Sequence, residues 1–294
     1  MTQAVATAAD ADIRAQAHRF MSAAADAATA AFRASVRPIY DATVRKTAEQ
    51  IGSCVLLEVD GNRFVVTAAH VIHKNAWTTL YIGGSDILVP LVAEFGATTA
   101  PRDNRNLDHY DFAFAPLDAD TIAALGAVHF LTAAEILPSV STPGRLFTAL
   151  GYPNSQNKRV NVAAKTVRCT LYRYSSVHRL DRKLARRLKI TGEHHLFIDH
   201  GDHAADENGQ KALAISPKGM SGGAVVEATE TSLAFFRGSR HTVPRLAGFV
   251  VEKHGNTLLA TRIDAIVAAI RHAGVPGTTA GRDGSGGTNR TGDA

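Results

Sequence analysis

Arg63-Phe64-Val65-Val66-Thr67-Ala68-Ala69-His70-Val71 decides how this chain reads. Arg63 to Ala68 carries the β-branched and aromatic side chains of a short strand. Asp60-Gly61-Asn62 before it is a hairpin turn signal, and Ser53 to Val59 is the strand on the other side of that turn. The second strand runs out through small residues at a histidine, a side chain that takes up and returns a proton near neutral pH. Two more segments follow in order, Tyr110-Asp111-Phe112-Ala113-Phe114 and Gly219-Met220-Ser221-Gly222-Gly223. His70, Asp111 and Ser221 are thereby separated by 41 and 110 positions.

Each of the three supplies what the others need for acyl transfer. A serine hydroxyl is a poor nucleophile until a base takes its proton, and His70 is such a base. The base needs a fixed tautomer and a negative charge beside it once it becomes imidazolium, and Asp111 offers both. Negative charge then builds on the former carbonyl oxygen, where the backbone N–H groups of Gly219 and Ser221 can receive it; the flanking glycines permit that tight loop. Singly, each segment has a plainer reading. His70 reads as a buried, hydrogen-bonded histidine, Asp111 as a strand-start cap with Asp108 as competitor, and the glycine run as an ordinary loop. The ordered coincidence favours a serine nucleophile. Gly219-x-Ser221-x-Gly223 also fits the nucleophile elbow of α/β-hydrolases, with Glu227, Asp264, His241, His254 and His272 downstream. That fold needs a helix after the serine, whereas Gly222-Gly223-Ala224-Val225-Val226 reads as a strand, and the upstream βα units are missing.

Around these segments the chain is a series of short strand-like runs. They fall at 78–82, 87–93, 112–116, 146–150, 160–174, 196–199, 212–215, 223–227, 245–252 and 257–260, with Gly, Pro and Asn between them. Residues 1–48 are alanine-rich and predict one or two helices ahead of the main domain, with a loose stripe of Ile13, Phe20, Ala24, Ala31 and Val36. Ile263, Ile266, Val267 and Ile270 share one face of a closing helix over 261–272, with Thr261 and Asp264 as a capping box. Residues 276–294 read as a disordered tail. The 294 residues, 45% hydrophobic and 20% charged, suit a soluble globular chain. Its two cysteines, Cys54 and Cys169, are no disulfide framework. Arg14, His18, Arg19, Asp26 and Arg33 interrupt any signal-like apolar core, and no run is long enough to span a membrane, so a cytoplasmic protein is expected.

The chain resembles the chymotrypsin-like (trypsin-fold) serine peptidases, and among them the bacterial trypsin-like peptidase domain proteins, over about residues 50–270. The likeness rests on Val66 to His70, Asp111-Phe112-Ala113 and Gly219 to Gly223, with Gly151-Tyr152-Pro153 and Leu246-Ala247-Gly248-Phe249-Val250-Val251 in support. It implies an all-β fold of two six-stranded antiparallel β-barrels, about 49–138 and 139–260, within a domain over 49–275. His70 and Asp111 would come from the first barrel and Ser221 from the second, with a C-terminal helix packed on the second. It further implies a serine endopeptidase acting on protein or peptide, without cofactor or metal. Ile215 and Ser216 would lie at the base of the specificity pocket and Val250 and Val251 on its wall, which favours apolar or small side chains. Digestive members carry Asp before the serine to receive a new N-terminus; Met220 stands there, which argues for a site formed as synthesised. A protease-fold binding protein, silent until an activating partner docks, and a small-ester hydrolase are the competing readings.

Two other segments carry chemistry. Glu193-His194-His195 and Asp199-His200-Gly201-Asp202-His203 gather metal-capable groups, but their spacing matches no zinc signature and they read as a polar loop near the cleft. Arg182-Lys183-Leu184-Ala185-Arg186-Arg187-Leu188-Lys189 reads as a helix with Leu184 and Leu188 inward and a solvated basic face. It has no interleaved aromatics, so nucleic acid is not an expected partner.

Overall fold

The structure is a computed structural model that describes residues 8–42, 48–73, 78–85, 87–137, 145–157, 169–206, 210–227 and 243–274. The expected tail over 276–294, His241, and most of the run expected at 160–174 lie outside the described residues.

Two antiparallel sheets make the body of the protein. The first contains β1 (Val36–Ala42), β2 (Ala48–Val59), β3 (Asn62–Ala68), β4 (Leu80–Gly83), β5 (Leu88–Pro90), β6 (Gly96–Ala97) and β7 (Phe112–Pro116), in the order β5-β4-β1-β2-β3-β7-β6. The second contains β8 (Leu146–Gly151), β9 (Tyr172–Val177), β10 (His195–Asp199), β13 (Ala224–Glu227), β14 (Arg245–His254) and β15 (Thr257–Arg262), in the order β10-β15-β14-β13-β8-β9. Its two edges approach each other: a bridge joins His178, just past β9, to Ile198 of β10. The short β11 (His203–Ala205) and β12 (Lys211–Leu213) form a separate hairpin-like pair.

The unbroken apolar runs follow from burial on both faces. In β2, Val55, Leu57 and Val59 enter a core shared by both sheets, while Cys54 and Leu56 enter a core private to the first. In β13, Ala224 and Val226 join the shared core, while Val225 joins a core private to the second sheet. A strand that must satisfy two cores cannot alternate with polar residues. Each fully buried Val or Leu contributes about 1.5–3 kcal/mol, which makes the shared core the main bond between the halves.

The helices are α1 (Ala8–Phe32), α2 (Ala69–Ile72), α3 (Ala119–Leu125), α4 (Arg182–Leu188) and α5 (Ile263–Ala273). The first helix ends at Phe32, and residues 36–42 form strand β1 rather than continuing as helix. The buried stripe of α1 is Phe20, Ala24, Ala28 and Phe32, one residue every four; Ile13 and Ala31 are exposed. Phe20 and Ala24 pack on Leu146 of β8, and an Asp26–Arg173 ion pair ties the helix to β9. In α4, Asp181 caps the N-terminus by accepting from the N–H groups of Lys183 and Leu184, and Leu184 is buried as expected. In α5, Ile263, Ile266 and Ile270 are buried on the expected face, but the expected capping box does not form. Thr261 belongs to β15 and its hydroxyl donates instead to the Tyr110 carbonyl at 2.7 Å. No helix among the described residues is long and apolar enough to cross a membrane.

Candidate active site

Strand register brings His70 and Asp111 together. β3 pairs with β7 so that Ala68 faces Phe112. His70 begins just beyond the end of one strand and Asp111 just before the start of the other, and the ladder continues as Ala69 N–H donates to Asp111 O at 3.0 Å. His70 Nδ1 lies 2.5 Å from Asp111 Oδ2, and the backbone N–H of His70 donates to Asp111 Oδ1 at 2.9 Å. Both carboxylate oxygens are thus used on one residue, which fixes the ring's orientation and leaves Nε2 free to work. His70 is half-exposed while Asp111 is buried.

Asp111 itself is held with care. Its φ of 41° lies in the left-handed region, a costly conformation for a residue with a side chain. Asp108 Oδ1 accepts its N–H at 3.0 Å, while Asp108 Oδ2 is held by Thr98 Oγ1 at 2.5 Å and Arg105 at 2.7 Å. Asp108 therefore braces Asp111 rather than competing with it. From the second sheet, His195 Nε2 reaches the carbonyl oxygen of His109 at 3.1 Å and Thr261 Oγ1 reaches that of Tyr110. Burial pushes the Asp111 carboxyl above the ordinary carboxylate range; the hydrogen bonds from His70 pull against that shift, and Asp108 adds to it.

Ser221 arrives from the second sheet. Gly222 N–H donates to Val250 O at 2.7 Å and Val250 N–H to Gly223 O at 2.9 Å, which lays the serine loop on β14. Ser53 of β2 ties that loop to the first sheet, since its N–H donates to Ser221 O at 2.8 Å and its hydroxyl to Gly219 O at 2.9 Å. Gln50 Nε2 donates to the same Gly219 oxygen at 3.0 Å. Asn154 N–H holds Lys218 O at 2.8 Å, and in a trans peptide this aims the Gly219 N–H the opposite way. Among the described residues the N–H groups of Gly219 and Ser221 have no hydrogen-bond partner, whereas that of Met220 between them is used on Pro217 O. The Ser221 hydroxyl donates to Val251 O at 3.1 Å.

Gly222 has no tolerance for a side chain. Its φ is +83°, and a Cβ there would lie 2.1 Å from Ser53 O and 2.9 Å from Ala68 N, both backbone atoms. Gly222→Ala is expected to cost on the order of 3 kcal/mol, read as a lower urea midpoint. Gly61→Ala is the control. Gly61 has φ +79° but open space around it, so only the backbone term of about 1 kcal/mol applies. Equal losses in the two variants would show that the close approach under the serine loop contributes nothing.

The expected pocket residues separate. Ile215 is half-buried and Ser216 is exposed, and Ser216 lines a cavity of about 490 Å³ with Glu49, Gln50, Asn154, Ser155 and Lys218. The Val250 side chain is packed in the private core of the second sheet with Phe147 and Met220, so it lines no cleft. Val251 contributes its carbonyl. Met220, before the serine, is fully buried. The histidines of 193–203 do not converge on one point. His195 is buried behind the Asp111 loop, His200 is buried against Tyr174 with ring centroids 4.2 Å apart, and His203 is exposed. Burial pushes both His195 and His200 below the ordinary histidine range. Neither cysteine rivals Ser221 as nucleophile, because burial pushes the Cys54 thiol up to about 12 and raises that of Cys169. Ser53, Gln50 and Asn154 had no signal in the sequence, because each acts through contacts with segments more than about sixty positions away.

No curated protein matches the chain by sequence. Among solved structures it is similar to the HtrA-type protease AlgW with tripeptide, at 17% identity and a TM-score of 0.47, over 85% of this chain and 64% of that one. The chain thus spans a little under two thirds of the length of that relative. A family model for the trypsin-like peptidase domain matches residues 52–234, well over half of the sequence, and the chain belongs to that family.

Proposed function

We propose that the protein is a serine endopeptidase whose two sheets are the two barrels of the trypsin-like fold, with the reaction carried out between them. The observation that carries this reading is the His70–Asp111 pair, bound through both carboxylate oxygens, together with a serine loop tied to the same sheet through Ser53 and carrying two N–H groups without partners among the described residues. Ser221 attacks the scissile carbonyl as its proton passes to His70 Nε2. Asp111 keeps the His70 proton on Nδ1 and stabilises the imidazolium. The N–H groups of Gly219 and Ser221 hold the oxyanion. His70 then protonates the departing amine, and water, activated by the same histidine, releases the acid and restores Ser221. Met220, buried in the core, supports a site formed as synthesised, since it cannot receive a new N-terminus as a carboxylate would. The two free thiols support a cytoplasmic setting.

On the family likeness the base of the substrate pocket falls to Ile215 and Ser216, neither of them charged, while Val251, as buried as Val250, offers it only backbone. A peptide library is therefore expected to show cleavage after small or apolar side chains and at least ten-fold weaker cleavage after Arg or Lys. A preference for Arg or Lys would overturn the pocket assignment. One observation favours a second reading. The Ser221 hydroxyl donates to Val251 O, as in a resting site that a docked substrate or activating partner completes. Cleavage that appears only with an added partner would favour that reading, and ester hydrolysis without peptide cleavage would favour a small-ester hydrolase.

A further inference from the structure

Two residues before Asp111, His109 leaves the catalytic loop towards the end of β14. Its Nδ1 lies 2.8 Å from Glu252 Oε1, and His254 Nε2 lies 2.9 Å from the same oxygen. One ligand atom from each residue falls within 4.8 Å of the others, and all three residues are partly buried. Glu252 and His254 stand two apart on a strand, which puts them on one face. A bulge between Val250 and Glu252 leaves Val251 as the extra residue. That bulge breaks the alternation, so Val250 stays in the core while Glu252 turns out of it.

A carboxylate flanked by two histidines makes a sufficient hydrogen-bonded cluster only if both imidazoles point a proton at it. His109 does so. His254 does not. Its Nε2 is shut off from solvent and has no aligned hydrogen-bond partner, although the Glu252 oxygen is 2.9 Å away. A solvent-shielded imidazole nitrogen close to a carboxylate but not aligned to hydrogen-bond it suits another occupant. The donor set of two imidazole nitrogens and one carboxylate oxygen suits a tetrahedral divalent ion of the zinc class, with a fourth position for water. The supporting frame is rigid on both sides. The His109 carbonyl accepts from the buried His195, and β14 is paired with β15 through Glu252, Lys253 and His254.

We infer that His109, Glu252 and His254 bind a divalent transition-metal ion of the zinc class, which ties the Asp111 loop of the first half to β14 of the second. The ion would sit beside the carbonyl of Val251 that now holds the Ser221 hydroxyl, so its binding would stiffen the frame on which the candidate nucleophile rests. The site spans 143 positions between its first two ligands, so no local spacing pattern of the kind at 193–203 marks it.

The test uses the full chain carrying Ser221→Ala, so that metal binding is read independently of any peptidase activity. Cobalt(II) is titrated in, and visible absorption, circular dichroism and melting temperature are followed. One equivalent is expected to give the intense d–d bands of a tetrahedral site, to raise the melting temperature and to be displaced by zinc. His109→Ala and His254→Ala are each expected to weaken binding by more than about a hundred-fold, since loss of outer-sphere support alone costs about 10–100-fold. Glu252→Gln keeps the shape of the site and is expected to lose most of the affinity with the charge. His203→Ala, which removes an exposed histidine outside the cluster, is expected to change nothing. Weak octahedral binding spread over several equivalents, or tight binding untouched by His109→Ala and His254→Ala in variants with native circular dichroism, would overturn the inference.

Discussion

Ser221→Ala is expected to lower kcat for peptide hydrolysis by about a million-fold with little change in stability. On the proposed mechanism the loss is that large because the serine supplies the bond-forming oxygen, and without it His70 has only water to deprotonate. What remains is the contribution of the N–H groups of Gly219 and Ser221 to an attacking water. Stability is spared because the loop is held by its backbone: Ser53 N–H on Ser221 O, Gly222 N–H on Val250 O and Gly223 N–H on Met220 O. The lost side-chain bond, from the half-buried hydroxyl to Val251 O, is worth about 1 kcal/mol. Steady-state kinetics on a fluorogenic peptide, alongside urea denaturation, separate the two effects. Substantial hydrolysis retained in the variant would sink the assignment of the nucleophile.

Asp111→Asn is expected to lower kcat by about ten-thousand-fold while the melting temperature at neutral pH stays level or rises. The kinetic effect follows from the two bonds Asp111 makes. The His70 backbone N–H keeps the amide oxygen of the asparagine in the Oδ1 position, so the amide N–H₂ faces His70 Nδ1. A donor there forces the ring proton onto Nε2, where it can no longer accept from Ser221. The stability effect follows from burial. With its pKa raised in the folded chain, Asp111 holds its proton more tightly there than in the unfolded chain. It therefore contributes stability below the ordinary carboxylate range of about 4 and loses that contribution as pH rises through its raised folded value. Above its raised folded value the ionised carboxylate is a net cost that the asparagine relieves. Melting curves from pH 3 to pH 8 should show the variant gaining on the parent as pH rises. A variant that loses stability relative to the parent over that range would show that the His70 pairing outweighs burial. A loss in kcat below ten-fold would show that Asp111 does not orient the base.

The segments that read well in the sequence are those whose chemistry is local. The Ser53–Val59 and Arg63–Ala68 hairpin, the Phe112–Pro116 strand and the glycine loop around Ser221 each carry their geometry in neighbouring residues, and the register of β3 on β7 then places His70 beside Asp111. β1 was hidden because Val36-Arg37-Pro38-Ile39-Tyr40-Asp41-Ala42 follows an alanine-rich helix and contains a proline. Pro38 is tolerated because β4 pairs only with Ile39, Tyr40 and Asp41, so the missing N–H costs no bond on that side. Thr261 has a spacing to Asp264 that suits a helix cap. The strand it belongs to sends its hydroxyl to Tyr110 instead. The likeness of residues 246–251 to a cleft-lining strand puts Val250 on the pocket wall, but its side chain packs in the private core of the second sheet with Phe147 and Met220. Ser53 and Gln50 beneath the serine loop, and the His109–Glu252–His254 cluster, are assembled only by the meeting of the two sheets, and no local pattern encodes that meeting.

The most direct test of the account is whether Ser221 is an assembled nucleophile. The purified chain, Ser221→Ala and His70→Ala would be treated with a fluorophosphonate probe and the adduct mapped by mass spectrometry. The account predicts a single adduct on Ser221 in the parent chain and none at that position in either variant, each variant retaining native circular dichroism. A folded parent chain that takes no label at Ser221, or one whose labelling persists without His70, would contradict it.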